Sequence, residues 1–262
     1  MQPHSSALAA TFLFASISYA GALDAPQTYY SSYSATLLGL PVATSKFKTV
    51  IAGNKFNVEG KLRSAGLVRL FERTDGTMSA RGSFGKSGPR SNAFALSYVS
   101  GKKASRSEVA FDGVNAISTK LKPAPRSGRS GYVHIKPKHR RSVVDPLTAV
   151  LIKADGLGSV CNRTLPIFNG RVRADLTLSG GKQGRMKVPG FSGKTITCNA
   201  KVTPIAGHRA GHKSIEYLKN SAKIRMTFAQ IGSTDIYAPI KASARTTIGR
   251  VSIRATKFGA PK

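Results

Sequence analysis

Apolar and polar residues alternate along much of this chain, which is the pattern of a β-strand that buries one face. Between residues 55 and 63, Phe56, Val58 and Leu62 alternate with charged and amide side chains. A similar alternation runs from residue 172 to residue 178. Because successive side chains of a strand lie on opposite faces of a sheet, each segment can pack only one face against a core. The sequence therefore predicts a mainly β fold.

Turn dipeptides between these segments predict how the strands pair. Gly53–Asn54 separates residues 45–52 from the strand at 55–63, and dipeptides of this kind are typical of tight hairpin turns. We expect a second hairpin to turn at Asp75–Gly76 and a third at Gly180–Gly181. Strands that are joined by tight hairpins lie antiparallel, so these turns predict an antiparallel sheet.

The middle of the chain departs from the alternating pattern. Residues 122–141 combine prolines, glycines and many basic side chains, which predicts an irregular, exposed connection. Asp145 then precedes Pro146, an order typical of a helix start, and the largely apolar residues 147–154 predict a short buried helix. We therefore expect a curved antiparallel sheet that forms an open barrel or β-spiral, with one short helix in its concavity.

The N-terminus predicts export from the cytoplasm. Residues 7–22 form a short apolar run that ends in three small residues, as signal peptides do. The run is too short to anchor the protein across a membrane. We expect residues 1–22 to be a signal peptide and residues 23–262 to be a single β-rich domain without a transmembrane segment. A domain of this size can bury about 70% of its unfolded surface, which is enough for one core.

Cys161 and Cys198 are the two cysteines of the chain. An isolated pair in an exported protein favours a disulfide. Cys198 also lies on the apolar face of the alternating segment 196–202, where its thiol would be buried. A bond would close a loop of about 38 residues and stabilise the fold by about 4 kcal/mol. The alternative, a redox-active or metal-binding pair, is disfavoured because the two cysteines lack C-x-x-C spacing.

Positive charge is spread along the whole chain. Lysine and arginine number 41 against 11 acidic residues, so the net charge is +30, a field that attracts polyanions. The densest short stretch contains Lys136, Lys138, Arg140 and Arg141, which we predict to bind an anionic lipid or glycan; a solvated loop is the alternative interpretation. Only Tyr132 lies nearby to stack on a base and the chain has no tryptophan, so we expect no nucleic-acid partner.

The sequence offers little material for catalysis or for cofactor binding. His208 and His212 have the spacing of a zinc-binding helix, but glycines beside them disfavour a helix and no glutamate lies between them. Residues 80–87 and 188–195 end in Gly-Lys-Ser/Thr, yet both lack the first glycine of a phosphate-binding loop. The G-x-S-x-G motif is absent and acidic residues are few. We predict no catalytic residue, no metal site and no cofactor.

Several segments, taken in their order and spacing, resemble one protein family. They are YSATLLGLPVA at Tyr33–Ala43, DPLTAV at Asp145–Val150, Cys161, FNGRVRAD at Phe168–Asp175 and CNAKVTPIAGHR at Cys198–Arg209. Together they resemble domain of unknown function 3108, an uncharacterised proteobacterial periplasmic family, from about Tyr30 to Phe258. The resemblance implies that residues 23–262 form a single β-rich periplasmic domain, and it implies no established activity.

These observations predict a non-enzymatic periplasmic protein that binds or scaffolds components of the cell envelope. An anionic lipid, a lipoprotein or a glycan is the expected partner. A curved antiparallel sheet around a helix is also similar to the lipoprotein-carrier fold of the envelope, whose concave apolar face accepts acyl chains. Two alternatives come from other classes: a hydrolase or transferase that acts on envelope polymer, and an electrostatic polyanion binder whose affinity falls steeply with salt.

Overall fold

The computed structural model describes residues 25–86, 88–125 and 127–260, and the predicted signal peptide at residues 1–22 lies outside them. Strands make up most of the described chain. They are β1 (Gln27–Leu37), β2 (Leu40–Ala52), β3 (Lys55–Ser64), β4 (Thr74–Gly85), β5 (Gly88–Ser100), β6 (Lys103–Gly113), β7 (Ala116–Lys122), β8 (Ile152–Lys153), β9 (Arg163–Phe168), β10 (Arg173–Val188), β11 (Phe191–Ala206), β12 (Ile224–Gln230), β13 (Ile236–Thr246) and β14 (Gly249–Gly259). The helices are α1 (Val68–Phe71), α2 (Pro146–Ala149) and α3 (Lys213–Asn220).

The strands form one antiparallel sheet in the order β7-β6-β5-β4-β3-β2-β1-β14-β13-β12-β11-β10-β9, and β8 pairs with β13. The sheet curls into a nearly closed barrel with one seam, between β7 and β9. The predicted mainly β, antiparallel fold is therefore confirmed. The hairpin predicted at Gly53–Asn54 is also confirmed, since it joins β2 to β3.

One end of the seam is tied by Arg171, which follows β9. Its guanidinium donates hydrogen bonds to the carbonyl oxygens of Lys122 and Pro123, both at 2.9 Å, and to that of Arg106 at 3.3 Å. These carbonyls belong to β6 and to the end of β7. A single side chain on one side of the seam thus binds the backbone on the other side, where no strand pairing is available.

The other end of the seam is bridged by backbone from the middle of the chain. The amide of Val143 donates to the carbonyl of Val114, in the turn between β6 and β7, at 2.7 Å. Val144 pairs with β9 instead: it donates to Pro166 and accepts from Phe168, both at 2.9 Å. Two consecutive residues therefore join the two sides of the barrel.

The segment that begins at this bridge lies inside the barrel. We call residues 143–154 the inner segment; it contains α2 and β8. The core consists of three buried apolar clusters, and the inner segment contributes Leu151 to the first, Ile152 to the second and Val143 to the third. Leu147 packs against both the first and the third cluster. The interior is thus organised around one continuous stretch of chain.

The helices differ from the prediction in extent. The helix expected over residues 147–154 spans only Pro146–Ala149, because Ile152 leaves the helix and pairs with Tyr237 as part of β8. The sequence analysis did not predict α3, the one helix of the described chain with more than four residues. None of these helices is long and apolar enough to cross a lipid bilayer.

The chain turns from β3 into β4 before Thr74, so the prediction of a hairpin turn at Asp75–Gly76 is wrong. Both residues lie inside β4, where Asp75 pairs with Arg63 of β3. The turn forms earlier because Gly66 has a φ of +61° and lies against the carbonyl of Pro41, where a side chain would clash.

The prediction of a hairpin turn at Gly180–Gly181 is also wrong. Both glycines lie inside β10, at a register shift between Ser179 and Lys182. Their φ angles of +68° and +154° are used for a bulge, which bends the strand without ending it. The chain turns instead after Val188, at the end of β10.

Beyond this bulge, residues 182–194 form a two-stranded arm. The pairing of β9 and β12 with this hairpin ends before the arm begins. The arm reaches across to β14, where the amide of Phe258 donates to the carbonyl of Pro189 at 2.9 Å. The rings of Phe191 and Phe258 meet edge to face, with centroids 5.6 Å apart. The arm therefore contacts the C-terminal end of β14.

The sulfur atoms of Cys161 and Cys198 lie at disulfide distance, 2.00 Å apart. Both residues are buried in the second core cluster. Cys198 shares the inner face of β11 with the buried Ile196 and Ala200, as the alternation predicts. A bond between the cysteines would connect the chain just before β9 to β11, the third strand from that edge of the sheet.

We predict that Cys161 and Cys198 are bonded in the mature protein and that Cys198→Ser lowers the free energy of unfolding by about 4 kcal/mol, because the unfolded chain gains freedom. The strand pairing does not depend on the bond, so the far-ultraviolet circular dichroism spectrum should keep its shape. Thermal unfolding measures the loss, and reduced wild-type protein serves as the control. Two reactive thiols per molecule in unfolded, unreduced wild type would contradict the prediction.

Candidate functional site

An apolar crevice of about 240 Å³ lies in the barrel beside α2. It is bounded by β1, β2, β3, β13, β14 and the inner segment, so strands from both ends of the sequence contribute to it. Its apolar walls include Phe47, Val58, Leu147, Leu151, Ala238 and Ile253. A few polar side chains, among them Ser31, Ser45, Thr49 and Lys241, complete the lining.

Strand alternation places the β2 residues of the crevice on one face. Ser45, Phe47 and Thr49 line the crevice or pack on the first cluster, whereas the intervening Lys46 and Lys48 are exposed on the outer face. The period-two pattern of the sequence therefore separates an apolar interior from a basic exterior within a single strand.

Tyr33 provides a fixed hydrogen bond at the wall of the crevice. Its hydroxyl donates to the carbonyl of Pro239 on β13 at 2.7 Å, and its ring packs edge to face on Phe47 with centroids 5.9 Å apart. Burial raises the pKa of Tyr33 to about 12, so the hydroxyl stays protonated and keeps its role as a donor at neutral pH. Tyr33 therefore ties two walls together and is not suited to act as a base.

Lys241 is the cation of the crevice. It lies half-buried on β13, and no carboxylate of the described chain forms an ion pair with it. An ammonium beside apolar walls can bind the acidic head of a ligand whose tail occupies the crevice. Lys241 is not among the site residues predicted from the sequence, although a lysine within the apolar run at residues 236–244 is a signal that could indicate it.

Asp145 holds α2, whose Leu147 lines the crevice. The residue is completely buried, and one carboxylate oxygen accepts from the amides of Leu147 and Thr148, both at 2.9 Å. The other oxygen accepts from the hydroxyls of Ser91 at 2.6 Å and of Thr148. Burial raises the pKa of Asp145, while these hydrogen bonds act in the opposite direction. The predicted helix cap is confirmed, and its partner Ser91 on β5 was not foreseen.

The predicted anion-binding segment forms one 3-10 turn, at Pro137–Arg140. Lys136, Lys138 and Arg141 are exposed and form no ion pair with a carboxylate of the described chain. Arg140 differs, because it is half-buried and its Nε is shielded from solvent. The structure thus presents three of the four predicted cations together on the surface.

The histidines and the phosphate-loop-like segments take ordinary structural positions. His208 and His212 lie in the loop between β11 and α3, as predicted, and His212 precedes the first residue of the helix. Residues 80–85 belong to β4 and residues 191–195 to β11, so neither segment is a loop that opens a helix. Within the described ranges, no three histidine, cysteine or acidic side chains are grouped to bind a metal ion.

Comparisons with known proteins identify the family. The family described as "Protein of unknown function (DUF3108)" matches residues 29–256. The chain belongs to this family. Among solved structures, this DUF3108 chain is similar to the β-barrel-like protein of domain of unknown function DUF1849 from Brucella abortus, with 9% sequence identity and a TM-score of 0.44. The similarity covers 90% of this chain and 98% of the other. No curated protein matches the sequence.

We predict that Asp145→Ala lowers the free energy of unfolding by about 2–4 kcal/mol, because the helix loses its cap and buried donors lose their acceptor. Asp112→Ala is the matched control. Asp112 also accepts from two backbone amides, but in an exposed turn. Water can replace its carboxylate, so we expect a much smaller loss than for Asp145→Ala. Chemical denaturation measures both, and equal losses would contradict the role assigned to Asp145.

Proposed function

We propose that this DUF3108 protein is a non-enzymatic periplasmic protein that binds the hydrocarbon chain of an envelope lipid or lipoprotein in the interior crevice. The observation that carries the proposal is the apolar lining of the crevice with the cation of Lys241 beside it. The periplasmic location is supported by the cysteine pair at disulfide distance, which fits an oxidising compartment.

The size of the crevice sets what it can hold. Its volume of about 240 Å³ is slightly below the roughly 300–1,000 Å³ of typical small-molecule sites. It therefore suits part of an acyl chain, with the remainder of the ligand outside. Lys241 would then bind a carboxylate or phosphate at the edge of the bound chain.

The crevice does not favour the alternative of a hydrolase or transferase. Its described lining residues include neither a carboxylate nor a histidine, the usual groups of general acid–base catalysis. Tyr33 is held as a protonated donor. Asp145 has both carboxylate oxygens engaged by four donors, which leaves it no position to accept a substrate proton.

We predict that Ser45→Phe weakens the binding of a fluorescent linear fatty acid by about tenfold or more, because the added ring fills the crevice. Thr44→Phe is the matched control: Thr44 is the preceding residue of β2 and is exposed on the outer face. We expect Thr44→Phe to bind the fatty acid like wild type. Equal affinities for both variants, measured by fluorescence titration with folding checked by circular dichroism, would remove the crevice as the binding site.

A second candidate function is polyanion binding by the segment at Lys136, Lys138, Arg140 and Arg141. Three of these side chains are exposed and lack described acidic partners. The segment also ends beside the turn between β6 and β7, which fixes its position on the barrel. A held group of cations loses less conformational entropy on binding than a flexible tail does.

We predict that changing Lys136, Lys138, Arg140 and Arg141 to serine lowers the salt concentration that elutes the protein from a sulfated-glycan column. The control variant changes four exposed lysines on separate elements to serine, with the same loss of charge: Lys55, Lys103, Lys194 and Lys219. The segment variant should elute clearly earlier than the control variant. The same shift for both would mean that the overall charge, and not this segment, binds the glycan.

A further inference from the structure

Exposed apolar side chains are concentrated at one end of the barrel. The turns β1–β2 and β13–β14 and the connection β3–β4 all lie there, because the strands alternate in direction. We call residues 38–40, 65–73 and 247–248 the loop tip. Its side chains Leu38, Leu40, Leu67, Leu70, Phe71 and Ile248 are between 61% and 89% exposed. Elsewhere in the described chain, Ile117 is the one large apolar residue exposed to this extent, at 62%.

The three loops of the tip are in contact, so their apolar side chains form one surface. The amide of Leu38 donates to the carbonyl of Arg250 at 3.0 Å, and the Leu38 side chain lies over Gly249, where a side chain would clash. On the other side, the amide of Ala65 donates to the carbonyl of Val42 at 2.9 Å. The β1–β2 turn is therefore placed between the other two loops.

Polar contacts hold the β3–β4 connection while its apolar side chains stay in solvent. The guanidinium of Arg69 donates to the carbonyl of Ser64 at 3.2 Å, and the hydroxyl of Ser64 accepts from the amide of Thr74 at 2.9 Å. No residue of α1 is buried. Leu70 and Phe71 are 78% and 89% exposed. These two side chains contribute nothing to the core, and a grouped apolar surface of this kind marks an interaction site.

Positive charge surrounds the apolar surface. Arg63, Arg69 and Arg73 share the single carboxylate of Asp75, at 3.4, 3.7 and 3.1 Å. The hydrogen bond from Arg73 lowers the pKa of Asp75, so this carboxyl group is ionised at neutral pH. Glu72, which follows Phe71, is a second carboxylate and accepts a hydrogen bond from the hydroxyl of Ser100. Three guanidinium groups against these two carboxylates still leave an excess of positive charge beside Leu70 and Phe71.

The β13–β14 turn adds two more cations. Arg245 and Arg250 lie directly opposite each other in the strand register, next to the exposed Ile248. Both are exposed and neither forms an ion pair with a carboxylate of the described chain. Like charges at directly opposite positions destabilise a hairpin, so fold stability does not explain the pair. An anionic partner would relieve the repulsion.

We propose that the loop tip inserts into the interfacial region of an anionic lipid bilayer. Apolar side chains surrounded by arginines match both parts of that region, since the apolar groups enter the acyl boundary and the guanidinium groups bind headgroup phosphates. A second copy of the chain fits less well, because two basic tips on chains of net charge +30 repel each other. The proposal goes beyond the proposed lipid binding and does not depend on the crevice.

The first test is co-sedimentation of the mature protein with vesicles of phosphatidylglycerol and phosphatidylcholine. We expect the double variant Leu70→Ser, Phe71→Ser to bind at least about tenfold more weakly than wild type, because two apolar side chains no longer leave water. The control is Ile117→Ser, which should bind like wild type. Ile117 is an apolar residue that is 62% exposed at the start of β7, at the opposite end of the barrel. Unchanged binding of the double variant would overturn the proposal.

The charge of the tip is tested separately. The variant Arg245→Gln, Arg250→Gln should lose part of the preference for anionic over pure phosphatidylcholine vesicles. Its binding should also depend less on salt between about 0.1 M and about 1 M, where the Debye length falls from about 10 Å to about 3 Å. If binding instead depends on Lys136, Lys138 and Arg141 and not on the tip, the basic segment is the membrane contact and the proposal is wrong.

Insertion itself can be observed, because the chain contains no tryptophan. In Phe71→Trp we expect a blue shift of the emission on adding anionic vesicles, and quenching by brominated acyl chains. Ile117→Trp should show neither effect. The absence of both effects in Phe71→Trp would overturn the proposal, as would a change in oligomeric state caused by the double variant. Ser45→Phe changes the crevice and leaves the loop tip intact, so it should bind vesicles like wild type. Vesicle binding therefore tests the loop tip, and fatty-acid binding tests the crevice.

Discussion

The buried carboxylate of Asp145 forms no ion pair within the described chain, and it connects the short helix α2 to the strand β5. It caps α2 through two amides and binds Ser91 on β5. The two residues before it, Val143 and Val144, bridge the two sides of the seam. The inner segment, to which these three residues belong, contributes to all three core clusters. One hydrogen-bonded side chain therefore fixes the position at which the chain enters the interior, and the packing of the interior depends on that position.

The inner segment has a second role, because its first two residues bridge the seam between β7 and β9. A sheet whose end strands do not pair leaves two rows of backbone groups that could recruit another chain. Here the guanidinium of Arg171 covers one end of the seam and residues 143–144 cover the other. The seam is therefore closed by a side chain and by crossing backbone, in place of strand pairing.

The sequence predicts the features that depend on neighbouring residues. It does not predict the features that depend on contacts between residues far apart in the chain. Alternation predicts the strands and the inward face of Cys198, and the order Asp145–Pro146 predicts the helix cap. The glycines at Gly180–Gly181 permit a turn or a bulge equally well, and the strands paired with β10 determine which one forms. Lys241 and the crevice escape prediction because β1 and β13, far apart in sequence, meet only in the folded sheet.

The arm at residues 182–194 has a mechanical consequence. Its Pro189 accepts a hydrogen bond from the amide of Phe258 on β14, and its Phe191 packs on the ring of the same residue. For the Phe258 end of β14 to separate from β1, the hydrogen bond to Pro189 and the ring contact with Phe191 must break as well. Since only its own two strands pair within the arm, lifting it breaks few backbone hydrogen bonds. We therefore expect local opening of the arm to cost less free energy than separation of the barrel strands, and to come before release of this end of β14.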